Sequence, residues 1–486
     1  MKMDLTDSQT HTPPPAATQP VASPCVNPQV GFVPELADNA WFSGKRVTVM
    51  GIGHFGGGTS TIRWLASLGA DVLATDMSSA DKLADQLTLL QPLIDKGHVK
   101  LALGAHNVSD FTTSDLVIVN PAVPKPWENR FLRAAIAAGV PITTEINLVV
   151  QRLPRREHVV AITGSAGKST TSAMIHHILA STGRKTCFGG NIGGSLLDHM
   201  NQIQRDSFIV LELSSAMLHW LHGWSPRIAV VTNLAENHID WHGSFDHYRE
   251  SKRAIIANQK HGDAAVLGPG MHGWATRPGV CRIEMRDVHQ VADIHLPGVH
   301  NRRNAAVAVA AAIALDPTLD HATAESAVRK FSGLPHRLER VGTWQGKKFF
   351  NDSKSTTPAS TLLALDAVGE SGLDKIHLIA GGYDKGSDLT PIGALAPKLA
   401  GLYTIGATGP AIAAVATATP EGAAHHTACE TLDRAVNAAI ARMTSGDILL
   451  LSTACASWGQ FTNYEARGKL FCELVRAHFG AQPGEA

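Results

Sequence analysis

The chain has no excess charge of either sign: Lys and Arg together number 42, and so do Asp and Glu. A balanced surface gives no long-range pull toward nucleic acid or an anionic membrane, so neither is expected as a partner. Paired cysteines are missing as well. The six present (Cys25, Cys187, Cys281, Cys429, Cys455 and Cys472) lie far apart without a C-x-x-C among them, which predicts free thiols in a reducing compartment. No apolar run approaches the roughly 20 residues of a membrane span. The N-terminus lacks the charged and apolar regions of a signal peptide, so a cytoplasmic protein without membrane insertion is expected.

What is present describes an ordinary globular chain, 44% hydrophobic and 17% charged over 486 residues. That length is too great for one core and predicts roughly two to four domains. Residues 1–40, with a Pro-Pro-Pro-Ala-Ala run among Thr, Gln and Ser, are expected to be a disordered tail. From Arg46 the pattern changes to a strand, Val47 to Met50, then Gly51-Ile52-Gly53-His54-Phe55-Gly56, a helix through Ile62 and Leu65, and a strand ending near Asp76. Read alone, this is a dinucleotide fingerprint with an acid placed for a ribose, and it opens the possibility of an NAD-dependent oxidoreductase. The alternative is a turn that holds another nucleotide's diphosphate. A strand at Leu116 to Val119 and a helix around Ala134 to Ala138 complete a first α/β unit, 41–147.

The stretch that organises the rest runs from Val159 to Thr171. An apolar strand breaks into Gly164-Ser165-Ala166-Gly167-Lys168-Ser169-Thr170 and resumes as a helix with Met174, Ile175, Ile178 and Leu179 on one face. Glycines let the backbone approach a ligand, the helix start points unpaired N–H groups at it, Lys168 adds charge for outer phosphates and Ser169 a hydroxyl for magnesium. Ile162 stands where the longer phosphate-loop pattern has glycine. Within the central unit, 148–334, the strand Phe208 to Leu211 runs into Glu212, where a magnesium ligand belongs. The strand Ile228 to Val231 leads to a loop carrying His238 and Asp240. A third unit, 335–486, has strands at Lys347 to Phe350, Ile376 to Ala380, Leu402 to Ile405 and Ile448 to Leu451. They are followed by small-residue loops suited to anions: Asn351 to Thr357, Gly381 to Lys385 and Ser452 to Ser457. A nucleotide-binding switch without catalysis would use the phosphate loop alone and leave these unexplained.

Taken together and in this order, the loops resemble the Mur ligase family of peptidoglycan synthesis, in its glutamate-adding branch. The matching stretches are Thr163 to Thr170, Gly189-Gly190-Asn191-Ile192-Gly193, Leu211-Glu212-Leu213-Ser214-Ser215, Glu236 to Asp240, Tyr248-Arg249 with Lys252, His300-Asn301 with Asn304, Gly333 to Arg337, Asn351-Asp352-Ser353-Lys354, and Ala454 to Phe461. The resemblance implies three α/β domains: a Rossmann-like N-terminal domain, a central P-loop ATPase-type domain and a C-terminal Rossmann-like domain. It implies a cytoplasmic monomer that uses ATP and Mg2+ to add glutamate to UDP-N-acetylmuramoyl-L-alanine through an acyl phosphate. By resemblance, Gly164 to Thr170, Asn304, Arg337 and Asp352 hold ATP, and Lys168, His238, Lys252 and Lys354 serve the chemistry. Ser169, Glu212, His238 and a carbamylated Lys252 hold metal. Asp76, Asn191 and Ser214 meet the UDP-muramoyl substrate, while Thr356, Lys385, Ser457 and Tyr464 hold the incoming glutamate.

Carbamylation needs a neutral amine, and a free lysine is protonated at neutral pH; Arg249, Arg253 and partial burial are expected to lower the pKa of Lys252. The competing reading is a helix-surface lysine. The chain departs from the family at Gly56-Gly57-Gly58, at Asn120 to Pro124, at Ser214 to Met217, and at Trp458, where a smaller aliphatic residue is usual. The last change bears on which amino acid, and which enantiomer of glutamate, is preferred.

Overall fold

The computed structural model describes residues 30–53, 57–369 and 372–480. Its frame is three sheets in chain order. The first holds β1 (Arg46–Met50), β2 (Asp71–Asp76), β3 (Val99–Leu103), β4 (Leu116–Val119) and β5 (Ile142–Thr143), all parallel, in the order β3-β2-β1-β4-β5. The second holds β6 (Val159–Thr163), β7 (Thr186–Gly190), β8 (Phe208–Glu212), β9 (Ile228–Val231), β10 (Ala264–Leu267) and β11 (Cys281–Glu284), again parallel, in the order β11-β10-β9-β6-β8-β7. The third holds β12 (Glu339–Trp344), β13 (Lys347–Asn351), β14 (Ile376–Gly381), β15 (Gly401–Ile405), β16 (His426–Glu430) and β17 (Ile448–Leu451), in the order β12-β13-β17-β14-β15-β16. Only the β12–β13 hairpin is antiparallel among the described pairings. The expected α/β class with mostly parallel sheets is what the chain adopts.

The central sheet shows why its strands read as continuous apolar runs. Val160, Ile162, Val210, Val230 and Val266 face one core, shared with the helices Lys168–Ser181 and Val299–Leu315 and with Phe350, Leu365 and Leu378 of the third unit. Val159, Ala161, Ile209, Leu211, Ala229 and Val231 face the other, shared with the first unit through Ile146, Leu148 and Val149. Period-two alternation with both faces covered leaves no polar side to the strand. The same register sets Ile162 beside Glu212 and Thr163 beside Val231, so the strand ends that carry the chemistry are level. In an open parallel sheet, ligands bind outside the carboxyl ends of strands where the order reverses, which here is at β6.

The expected tail is shorter than 40 residues. Val30 bridges Ile142, and residues 34–37 and 39–42 form 3-10 turns that bury Leu36 and Phe42 against the first unit. Apolar anchors in a polar stretch were enough to dock it, with the Asp38 side chain accepting from the Ala40 N–H to set the second turn. Residues 1–29, including Cys25, and His54, Phe55 and Gly56 of the first glycine turn lie outside the described residues.

Candidate active site

Between β6 and the helix Lys168–Ser181 the backbone turns on two glycines, Gly164 at φ 149° and Gly167 at φ 79°. A Cβ on Gly164 would run into Thr232 Oγ1, and one on Gly167 would come 2.8 Å from Asn304 Oδ1. Ile162 is an interior residue of β6, so the strand runs further than in the longer phosphate pattern and the turn is tighter. The turn is clamped from the exit of β9: Ser165 N–H donates to Asn233 O (3.1 Å), Ala166 N–H to Asn233 Oδ1 (2.9 Å), and the Thr232 hydroxyl to Ala166 O (2.6 Å). Ser165 Oγ and Tyr248 Oη share a hydrogen bond of 2.8 Å. Meanwhile the N–H groups of Gly167, Lys168, Ser169 and Thr170 donate to no backbone carbonyl among the described residues. A rigid nest of donors at a helix start is an anion site.

Glu212 ends β8 beside this turn, only 1% exposed. Its Oε1 accepts from Asn191 Nδ2 at 2.7 Å, while Oε2 is buried with no hydrogen-bond partner. A buried carboxylate oxygen without a donor is costly, and a divalent cation would satisfy it. Ser169, on the first turn of the helix and also buried, supplies the hydroxyl expected on the other side. No group of three or more His, Cys, Asp or Glu able to hold a metal occurs among the described residues. His238 is exposed, in left-handed backbone at φ 52°. Partial burial, then Lys168, hold its pKa below the usual histidine value, so the ring is neutral and able to ligate.

Lys252 is no surface residue. It is 1% exposed within the helix Phe245–Ala257, and its Nζ donates to Gly164 O at 2.8 Å and lies 3.3 Å from Thr163 Oγ1, beneath the phosphate turn. Burial, followed by the neighbouring charge of Lys168, depresses its pKa to about 6 despite the opposing pull of Glu212. The amine is therefore largely neutral at pH 7. Arg249 and Arg253, expected to cause the shift, instead pair with Asp246 and Glu250 on the outer side of the helix. The expected direction holds, and burial, one of its expected causes, leads; the two arginines are not among the causes.

The third unit brings two more cations to this place. Burial above all, and then Arg337, lowers the pKa of both Lys168 and Lys354, while Glu212 pulls both upward. Cations from two units therefore lie within electrostatic reach of one another and of Glu212. Arg337 Nε is buried and unpartnered. Lys354 Nζ lies 3.1 Å from Tyr464 Oη, so Tyr464 sits with the phosphate-side lysine. Thr356 and Lys385 line a pocket together with Tyr383, Asp384, Thr408 and Cys455, and the buried Ser457 follows in the neighbouring loop. Arg467, fully buried, ties the two loops together: Nη2 donates to Ser353 O (2.8 Å) and Nη1 to Cys455 O (3.1 Å). Nothing in the sequence marked Arg467, Thr232 or Asn233, because their partners are backbone carbonyls and amides.

Four expected contact residues have structural duties in this conformation. Asp76 Oδ2 accepts from Ile52 N–H (2.9 Å) and Gly53 N–H (3.3 Å) and Oδ1 from Ser78 N–H (2.8 Å), pinning the first glycine turn. Ser214 caps the helix Ser215–Trp220 by accepting from Met217 N–H. Asn191 orients Glu212. Asp352 is turned inward: Oδ1 accepts from Leu338 N–H (3.1 Å) and Oδ2 from the Ser452 hydroxyl (2.8 Å), and burial pushes its pKa up to about 6. It holds the segment that presents Arg337.

Comparison with known proteins fits this geometry. A model of the MurD-like N-terminal domain of Mur ligases matches residues 45–144, the Mur ligase middle domain matches 162–277, and the glutamate ligase domain of Mur ligases matches 336–455. The chain belongs to the Mur ligase family. Two relatives named UDP-N-acetylmuramoylalanine--D-glutamate ligase come from Koribacter versatilis and Symbiobacterium thermophilum. The first is 35% identical over 464 residues (89% of this chain, 97% of the relative) and the second 36% over 466 (89% and 98%). The fold is shared with UDP-N-acetylmuramate-alanine ligase MurC of Thermotoga maritima, at 18% identity and TM-score 0.53 over 89% of this chain and all of that one. MurF of Acinetobacter baumannii aligns at 17% identity and TM-score 0.50 over 76% of this chain and 93% of its own. The reading of the first glycine turn as NAD-dependent oxidoreductase chemistry is not favoured, because that turn belongs to the Mur ligase N-terminal domain.

Proposed function

We propose that this Mur ligase joins D-glutamate to the alanyl carboxylate of UDP-N-acetylmuramoyl-L-alanine while cleaving ATP to ADP and phosphate, as its relatives' names describe. One observation carries the reading: the donor nest at Gly167 to Thr170 opens a helix beside the orphaned Glu212 oxygen, and the cations Lys168, Arg337 and Lys354 lie close enough to influence one another electrostatically. That is a site for a polyphosphate whose terminal group is transferred. A second amino acid in place of D-glutamate has no observation in its favour.

A carboxylate is a poor electrophile. In the reaction its oxygen attacks the terminal phosphorus of ATP, the bond to the bridging oxygen breaks, and ADP leaves with the electron pair. The glutamate amine then attacks the acyl carbon of the resulting acyl phosphate, the amide C–N bond forms, and phosphate departs. Charge builds on phosphoryl oxygens, so positioned cations and N–H groups do most of the work. Lys168 and the helix start hold the outer phosphates, Arg337 and Lys354 close on them from the third unit, and Lys385 with Thr356 and Ser457 receives glutamate. Mg2+, held by Glu212 and Ser169 with His238 nearby, would supply charge neutralisation across the phosphates. Lys252, neutral and walled in beside Gly164, is suited to react with carbon dioxide, losing a proton to become a carbamate that presents a carboxylate to the same cleft. Asp76 serves the acceptor by fixing the turn of the first unit. Among the described residues no helix is long and apolar enough to cross a membrane.

Phosphate release tests the reading. It should require ATP, UDP-N-acetylmuramoyl-L-alanine and glutamate together. Release with ATP alone would favour a nucleotide switch, and absence of a new amide with all three present would overturn the proposal.

A further inference from the structure

Beside the pocket lined by Thr356, Lys385 and Cys455, the surface carries two large aromatic side chains that burial does not explain. Trp458 is 52% exposed and Tyr383 44%. Their rings meet edge to face with centroids 5.6 Å apart, and Lys385 Nζ stands 4.4 Å over the Trp458 ring. A backbone pairing of Tyr383 with Ala456, with N–H to O at 2.8 Å, holds the two loops in this arrangement. Among the described residues Lys385 forms no ion pair with a carboxylate. The adjacent Asp384 turns its Oδ1 to the Gly386 N–H instead. A lysine whose ammonium rests on an indole face keeps its full charge for an incoming anion, and it loses the freedom of a long flexible side chain.

We infer that Trp458 is a positioning and specificity residue for the incoming amino acid: its indole carries Lys385 at the height where one carboxylate of that amino acid binds. The inference rests on the ligase reading of the same pocket and deepens it. Glutamate presents one amine and two carboxylates, and its enantiomers present them in mirrored order. With the amine fixed at the acyl carbon and one carboxylate on the loop hydroxyls, what separates the enantiomers is where the second cation stands. Trp458 sets that place for Lys385. A smaller aliphatic residue would leave the ammonium free to follow either order.

The test is steady-state kinetics of wild type, Trp458→Ala and Trp458→Phe with D- and L-glutamate, read beside calorimetric binding of glutamate in the presence of acceptor and a non-hydrolysable ATP analogue. Trp458→Ala should raise KM for the preferred enantiomer about threefold to fivefold, the worth of an exposed cation–π contact. It should leave KM for ATP and acceptor within about twofold, and narrow the ratio of kcat/KM between the enantiomers; Trp458→Phe should recover part of both effects. An unchanged glutamate KM and enantiomer ratio in a folded Trp458→Ala protein would overturn the inference, as would a common rise in all three KM values. The ligase reading fails separately. If wild type bound glutamate without turnover, and Trp458→Ala bound it more weakly, the ligase reading would fall and the role of Trp458 would stand.

Discussion

Two strand-glycine-helix turns occur in this chain, one after β1 and one after β6, and they differ in what faces their backbone donors. In the first, a carboxylate already accepts from Ile52 and Gly53 N–H, so Asp76 sits where an anion would otherwise be drawn. In the second, the clamping groups are neutral side chains and carbonyls from the exit of β9, the helix-start N–H groups meet no backbone carbonyl among the described residues, and Lys168 Nζ folds back onto Gly164 O (2.9 Å) and Ser165 O (3.1 Å). Glycine content is the same kind of signal in both. What separates a phosphate-transfer turn from a turn that shapes a recognition surface is whether the acid on the neighbouring strand end is used up by the turn's own amides: Asp76 of β2 is, whereas Glu212 of β8 keeps Oε2 without a hydrogen-bond partner and has the cation Lys168 in its field.

The sharpest way to break this comparison is to remove the charge from the second turn. Lys168→Ala should lower kcat/KM for ATP about a thousandfold, the scale of losing a cation aimed at developing phosphoryl charge, with the folded spectrum retained. Because Lys168 also depresses the pKa of Lys252, its removal should restore part of the basicity of that amine. If ATP-dependent phosphate release survived in Lys168→Ala, the second turn would not be the transfer site. Next in size is Lys252→Ala, expected to cost about a hundredfold in turnover and to regain part of it with millimolar formate or acetate. Wild-type turnover in Lys252→Ala would remove the carbamate from the scheme.

The chemistry-bearing loops were legible in the sequence for a physical reason: they follow buried strands whose runs of Val, Ile and Leu have no polar face to confuse the period. β1, β4, β6, β8, β9, β14, β15 and β17 stand out in this way. Several of the strands that were missed lie at sheet edges, although β10, buried and paired on both sides, was missed as well. β11 is mostly exposed and β3 is exposed along part of its length, while β7 carries two glycines where the backbone packs against Glu212 and Leu196. Edge strands are specified by pairing with a neighbour, which a single sequence does not display. At the site, groups that act through their own charge were readable, and those that act by holding backbone were not. Ser214 looks like a ligand residue and is a helix cap. Asp352 looks like a nucleotide contact and fastens Leu338 to Ser452. Lys252 reads as partly buried and is almost wholly so, while the arginines beside it on its own helix pair with acids there and the cation that lowers its pKa further, Lys168, comes from another element.

The first turn offers the converse experiment. Asp76→Ala should free the Ile52 and Gly53 donors and loosen the turn, destabilising the protein by about 1–2 kcal/mol through lost charge-assisted hydrogen bonds. KM for the UDP-linked acceptor should rise severalfold while KM for ATP stays within about twofold. Equal effects on both substrates would mean that the two turns are coupled more tightly than their separate clamps imply.

The smallest effect on turnover is expected at the seam between the two regions, where the change is one of stability. Glu145, in the helix Glu145–Arg152 that leads from the first unit into β6, is buried and accepts from Ser195 Oγ at 2.5 Å; nearby, Asp198 accepts from Ser60 of the first unit. Burial raises its pKa from 4.5 to about 7, opposed by the Ser195 hydrogen bond and reinforced by Asp198. Between those two values the folded chain keeps a proton that the unfolded chain has released, so stability from this group is complete below pH 4.5, falls as pH rises, and is gone above about 7. Glu145→Gln has no such slope, and its stability relative to wild type should rise across that window by up to about 3 kcal/mol. The measurement is the difference between the two proteins in denaturant midpoint from pH 4 to 8, which cancels the parallel contribution of Asp352, whose carboxyl titrates near 6 in both. A flat difference would mean that water reaches Glu145, and that the seam joining the two turns is looser than its buried hydrogen bond implies.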